Sequence, residues 1–165
     1  MHTGTHVRAA EATDERDVAD LAIVNDMFAV DEMDDFTEMF RGAVNGDLPG
    51  HQWLVASTPE DGVVASAYVA PEPFADRLWN LYFLAVHPVG HGRGTGTALM
   101  AHVEDMLREA GESQARILIV ETSSTDQYAA TRAFYLARGF DEEARIRDFY
   151  GPGDDKVVFW KNLTL

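Results

Sequence analysis

The sequence predicts a mixed α+β protein built on one sheet, and three observations carry that prediction. First, the apolar run Leu81 to Val86 passes through a glycine-studded turn into a helical stretch. That stretch is succeeded by a second apolar run, Arg116–Glu121 (RILIVE). Strand, helix, strand in that order is a helical crossover between two parallel strands. Second, Pro59-Glu60-Asp61-Gly62 and Gly151-Pro152-Gly153-Asp154 are tight-turn sequences that join neighbouring strands antiparallel. Third, the chain has 165 residues and is 46% hydrophobic. That is enough to fold and to bury a core as a single domain, residues 1–165.

From the N-terminus, Val7–Ala10 reads as a short first strand. Thr13 is expected to cap a helix with Asp14 and Glu15 in its first turn, where negative charge suits the helix dipole. Val18, Leu21, Ala22 and Val24 give it a loose helical period. Asp31–Val44 is a second helix, with Met33, Phe36, Met39, Phe40 and Val44 on one side. Asn45-Gly46 and Pro49-Gly50 are turn signals that end it and lead into the next strand. Trp53–Ser57 and Val63–Ala70 form a hairpin, ended by Pro71 and Pro73. Trp79–Val86 is the next strand. The helix Gly94–Ala110 carries Leu99, Val103, Met106 and Leu107 on one face, and Gly111 stops it. After RILIVE, Ser123, Ser124, Thr125 and Asp126 offer caps for a fourth helix running to Gly139. Ala144–Tyr150 and Lys156–Leu163 close the chain as a hairpin. The order is β-α-α-β-β-β-α-β-α-β-β.

Composition narrows the function. The formal net charge is −15, and only two of the thirteen basic residues, Lys156 and Lys161, are lysines. Such a surface disfavours nucleic acid and anionic membrane as partners and suits a cationic substrate. It also serves solubility or a salty cytoplasm. The chain has no cysteine, so disulfides, thiolate metal sites and a cysteine nucleophile are excluded. Six histidines are scattered, and His87 and His91 are separated by Pro88 and Gly90. No metal site is expected. No apolar run approaches a bilayer span, and the N-terminal residues lack secretory or transit character. The expected location is cytoplasmic.

The chemistry begins at Gly90, Gly92, Gly94 and Gly96, which alternate with His91, Arg93 and Thr95. A strand, a glycine turn and a helix N-terminus make an anion site, because the first helical N–H groups lack internal partners and the dipole favours negative charge. The turn lacks the Gly-Lys-Ser/Thr ending of a P-loop and the spacing of a dinucleotide fingerprint. Glycines here carry an entropic cost of ~0.5–1 kcal/mol each relative to alanine, which argues against an inert connection.

The stretch Ala85-Val86-His87-Pro88, continued by His91-Gly92-Arg93-Gly94-Thr95-Gly96-Thr97-Ala98-Leu99, resembles the cofactor motif of the GNAT N-acetyltransferase family, with His91 where Gln or Arg is usual. A second family motif is similar to Tyr128-Ala129-Ala130-Thr131-Arg132-Ala133-Phe134-Tyr135, with Gly139-Phe140 after it; Tyr128 stands where Asn is usual and Thr131 where Ala is. The resemblance covers nearly the whole chain. It implies a mostly antiparallel sheet whose parallel fourth and fifth strands splay apart into a cleft, flanked by about four helices.

It further implies acetyl-CoA as co-substrate. The pyrophosphate would lie on amides of His91, Gly92, Arg93, Gly94, Gly96 and Thr97. The pantetheine arm would pair with backbone around Leu84 and Val86, where one N–H would polarise the acetyl carbonyl. Tyr135 matches the family's general acid for the departing thiolate; read alone, it is a core tyrosine beside Phe134.

Glu121 ends its apolar strand as a candidate general base, or as a structural carboxylate bonded to Ser123 and Ser124. Asn80 and Tyr82 alternate onto one face and are candidates for the acceptor side, as are Asp148 and Tyr150. Arg93, Arg132 and Arg138 are either counter-charges for phosphate or plain surface cations. Met27, Phe28, Met33, Phe36, Met39 and Phe40 are either core or a lid over the acceptor. The function this implies is acetyl transfer to a primary amine of a small molecule or peptide by direct attack; the alternative is a non-catalytic acyl-CoA-binding or regulatory module. Relatives that pair as dimers extend the expectation to a homodimer.

Overall fold

The computed structural model describes residues 4–164. Within them, seven strands and four helices keep the expected order: β1 His6–Ala9, α1 Glu15–Val24, α2 Met33–Val44, β2 Gln52–Thr58, β3 Gly62–Pro71, β4 Leu78–Val86, α3 Thr95–Ala110, β5 Ile117–Ser123, α4 Ala129–Ala137, β6 Asp141–Gly151 and β7 Asp154–Asn162. The strands form one sheet in the order β1-β2-β3-β4-β5-β7-β6. The β4–β5 pair is parallel, and its ladder covers only Leu78–Leu81 against Ile117–Val120. β4 continues to Val86 and β5 to Ser123 beyond that ladder. Both tight turns lie where the sequence places them, at the β2–β3 and β6–β7 junctions.

The chain divides into two compact units. The first runs to Ala70 and resumes at Phe83–Asp105. Its core is aromatic. Trp53 stacks on Tyr68 with ring centroids 4.6 Å apart, and Phe40 meets Trp53 edge-on at 5.2 Å. Phe36 packs against Trp53 and Phe83. Val18, Leu21 and Ala22 of α1 join the same cluster, with Met27, Phe28, Met33 and Met39 packed against it. Phe36 and Phe40 of the Met/Phe segment are thus core, and Met27, Phe28, Met33 and Met39 are partly buried against them, with the rings in the stacked and edge-on arrangements that aromatic pairs prefer.

Helix α1 begins differently from the sequence expectation. A single 3₁₀ turn over Ala12–Asp14 precedes it. The side chain that caps the turn is Asp14, whose Oδ2 accepts from the Glu11 amide at 2.8 Å, not Thr13. Asp14 is buried and also takes both arms of the Arg8 guanidinium, at 2.7 and 3.0 Å. A bidentate cation outweighs a neutral hydroxyl as the partner that fixes this corner.

The second unit comprises Pro71–Tyr82 and the chain from Met106 onward. β7 pairs with β5 along its length, Glu121 standing opposite Val158 and Ser123 opposite Lys156. β6 forms the outer edge and is exposed along its length up to Tyr150. Tyr135 of α4 is buried among Phe134, Phe140 and Phe159, with ring centroids 5.5–5.7 Å away. α4 has no side-chain cap of its own: Ser123 ends β5 and accepts instead from the Thr125 amide at 3.1 Å.

Candidate functional site

In the first unit, the turn after β4 is held by its own histidines. The His87 ring accepts from the Val89 amide at 3.1 Å, and His91 Nε2 lies 2.9 Å from the Val86 carbonyl. His91 and Arg93 amides donate within the turn, to Pro88 and Gly90 carbonyls at 3.1 and 3.3 Å. Among the described residues the amides of Gly92 and Gly94 have no backbone partner. Both glycines have positive φ, 76° and 77°, and a Cβ built on either meets nothing within 4 Å. Both glycines therefore hold left-handed backbone beside open space. The first helical bond is accepted by the Gly94 carbonyl, from Ala98 at 2.9 Å. The amides of Thr95 and Gly96 lie in the first turn, where no intrahelical acceptor exists. Alternating left-handed glycines that lead into a helix start make a concavity of N–H groups. The residues present fit a diphosphate: donors without partners, no carboxylate in the turn, and room that any side chain on the two glycines would fill.

Leu84 and Val86 are half-buried and lie past the end of the β4–β5 ladder. Arg93 is largely exposed and stands 3.8 Å from Asp61. A recess of about 230 Å³ beside it is lined by Thr58, Glu60, Asp61, Gly90 and Thr95, among others. With two carboxylates against one guanidinium it repels an anion, so it is not the phosphate site.

The second unit holds the proton-handling candidates. Burial pushes the Tyr135 phenol far above its ordinary value, so the hydroxyl stays protonated at any working pH. The proton is therefore present to be given, although the same burial makes the phenol a weaker acid; the aromatic contacts show the ring packed in the core. Glu121 is half-exposed, and its Oε2 lies 3.2 Å from Lys156 Nζ. The ammonium also sits 3.7 Å from the centroid of Phe149. Burial, then the charges of Glu121 and Asp154, raise the Tyr150 phenol above its ordinary value. Ser123 and Ser124 bond to Asp154 and to the Asp155 amide rather than to Glu121. Asp148 accepts from the Gly153 amide and its own amide donates to Asp155, a hairpin role. Arg132 donates to the Ser123 and Thr125 carbonyls at 2.8 Å each, pinning the β5–α4 connection.

One residue is not marked by the sequence pattern. Glu72 Oε1 accepts from Asn80 Nδ2 at 2.8 Å and from the Tyr82 hydroxyl at 2.5 Å. A signal exists: a carboxylate just past a strand end, between Pro71 and Pro73, with two polar residues alternating onto one face of the next strand. Nothing in one sequence says that the loop brings them together.

A signature described as the acetyltransferase (GNAT) domain matches residues 49–142. Over 97% of this chain and 99% of the other, a GNAT-family protein from Desulfovibrio desulfuricans superposes with a TM-score of 0.86 at 30% identity. The ribosomal-protein-S18-alanine N-acetyltransferase of Escherichia coli gives 0.72 at 18% identity, covering 98% and 96%. An aminoglycoside 6'-N-acetyltransferase complexed with coenzyme A gives 0.74 at 14% identity, covering 96% and 97%. No curated protein matches. The seven-stranded mixed sheet with its short parallel ladder, together with these matches, defines an acyl-CoA-dependent N-acetyltransferase. The chain belongs to the GNAT acetyltransferase family.

Proposed function

We propose that the protein transfers an acetyl group from acetyl-CoA to a primary amine of a small molecule or peptide, by direct attack and within a single domain. The observation that carries the reading is the partnerless pair of left-handed glycines, Gly92 and Gly94, at the start of α3. Acetyl-CoA supplies an activated thioester and a diphosphate to hold it by. Gly92, Gly94, Thr95 and Gly96 amides would take the diphosphate, with His91, Arg93 and Thr97 shaping the turn. Backbone groups at Leu84 and Val86 would align the pantetheine arm. Tyr135, kept protonated by burial, would give the thiolate its proton. Glu121 would take the proton leaving the amine. Asp31–Gly50 would form one wall of the acceptor site.

Two of the fold relatives act on a protein alanine and on an aminoglycoside, so the fold itself admits both peptide and small-molecule acceptors. The test is to incubate the protein with acetyl-CoA and a panel of primary amines, monitoring free thiol and N-acetyl product together. Thiol released in step with amide product supports the reading. Tight acetyl-CoA binding with no amine acetylated favours the non-catalytic module.

A further inference from the structure

The geometry points to Glu72 as a cation-recognition residue, and therefore to an acceptor that carries a positive charge beyond the nitrogen that becomes acetylated. This deepens the acetyl-transfer reading and rests on it.

Glu72 comes directly after β3, and its amide donates to the Leu78 carbonyl at 2.9 Å, which closes the loop and sets its side chain beside β4. Its carboxylate receives two neutral donors, Asn80 Nδ2 at 2.8 Å and the Tyr82 hydroxyl at 2.5 Å. Among the described residues no cation pairs with it. The loop's own guanidinium, Arg77, is turned to Asp76 at 2.9 Å and to the Glu112 carbonyl at 2.8 Å. Arg116 lies 3.5 Å from Asp76. The negative charge on Glu72 is thus fixed in place and unmatched.

Asn80 gives the second observation. It is only 1% exposed, and its Oδ1 is buried without any hydrogen-bond partner. An orphaned buried carbonyl oxygen is unfavourable, and the bond to Glu72 is what holds the amide in this orientation. Asn80 keeps its own oxygen buried and serves Glu72 as a donor, so the carboxylate is the acceptor left to a ligand. What Glu72 lacks is a group bringing positive charge.

Register puts this cluster on the face that carries the candidate base Glu121. The parallel ladder stops at Leu81 opposite Val120. Side chains alternate, so Asn80 and Tyr82 share the face that Ile119 and Glu121 take on β5. Of the two carboxylates on that face, Glu121 is matched by Lys156 and Glu72 is not.

The chemistry then selects the ligand. In acetyl transfer the C–N bond forms, the C–S bond breaks, one ammonium proton goes to base and the thiolate takes up another. The attacking nitrogen must be neutral, so a carboxylate paired with that nitrogen alone loses its partner at the moment of reaction. Glu72 keeps a partner throughout only if the acceptor holds a second ammonium. The class is a diamine, a polyamine or an amino compound with a spare cationic group.

The test compares 1,4-diaminobutane with 1-aminobutane as acceptors for the wild-type protein, Glu72→Gln and Tyr82→Phe, with the thermal shift produced by acetyl-CoA measured on each. The wild type is expected to favour the diamine by about tenfold or more in kcat/KM, the scale of one charge-assisted bond. Glu72→Gln should lose that preference through KM, with its 1-aminobutane rate and acetyl-CoA shift unchanged. Tyr82→Phe, which keeps the carboxylate but loosens it, should lose part of it. Equal use of both amines by the wild type, a preference that survives Glu72→Gln, or an equal loss for both amines overturns the inference. So does an acetyl-CoA shift with neither amine acetylated. Absence of any acetyl-CoA shift overturns the parent reading instead.

Discussion

Replacing Gly94 by valine separates strain from ligand binding. Gly94 has φ 77° and open space around a built Cβ. A branched side chain at positive φ costs roughly 1–3 kcal/mol. For a chain of this length that lowers the melting temperature by about 2–12 °C, at roughly 2–4 °C per kcal/mol. Gly46 is a matched control: φ 81°, and likewise nothing within 4 Å. Gly46→Val should lose similar stability for the same reason. The two must differ with acetyl-CoA present. A ligand at 100 times its dissociation constant adds ~2.7 kcal/mol, or about 5–11 °C. Gly46→Val should keep that increment and Gly94→Val should lose it, because the added methyls stand where the diphosphate would lie. Differential scanning fluorimetry reads all four numbers. If Gly94→Val keeps the increment in full, the diphosphate is not held at this turn.

Two other perturbations probe single side chains. Tyr135→Phe should lower kcat by about 10²–10⁴ while the acetyl-CoA dissociation constant stays within about twofold; equal losses in both would make Tyr135 a packing residue only. The Arg8 pair and the Glu11 amide hold the Asp14 carboxyl below the usual carboxylate range. A depressed folded value contributes stability above the unfolded value of about 3.9 and loses it as pH falls through the folded one. Asp14→Asn should therefore be less stable than wild type by about 1–3 kcal/mol at neutral pH, with the deficit shrinking as pH falls below about 3.9, in urea melts; a deficit that stays constant as pH falls would refute the pairing.

The local features are legible in the sequence, and the long-range ones are not. Pro59–Gly62 and Gly151–Asp154 fix their hairpins because turn chemistry is decided within four residues. The glycine turn is equally plain, since positive φ and helix-start amides are local properties. Thr13 misleads because a hydroxyl in capping position competes with Asp14, whose partner Arg8 belongs to β1. The Met/Phe run could be core or lid from its pattern alone; only Trp53, Tyr68 and Phe83 arriving from three strands make Phe36 and Phe40 core. Glu121 stands out at its strand end, but its ion pair with Lys156 needs the β5–β7 register. Glu72 is hidden for the same reason: its partners are eight and ten residues away across a loop.

The central claim is that free amides in the turn opening α3 hold the diphosphate of coenzyme A. Amide proton–nitrogen correlation spectra during a coenzyme A titration test it most directly. The largest shifts are expected at Gly92, Gly94, Thr95 and Gly96, with Gly46 and Gly111 unmoved, and the same four should stay still when pantetheine, which lacks the diphosphate, is added instead. Saturating coenzyme A that leaves these four amides in place while others move would contradict it.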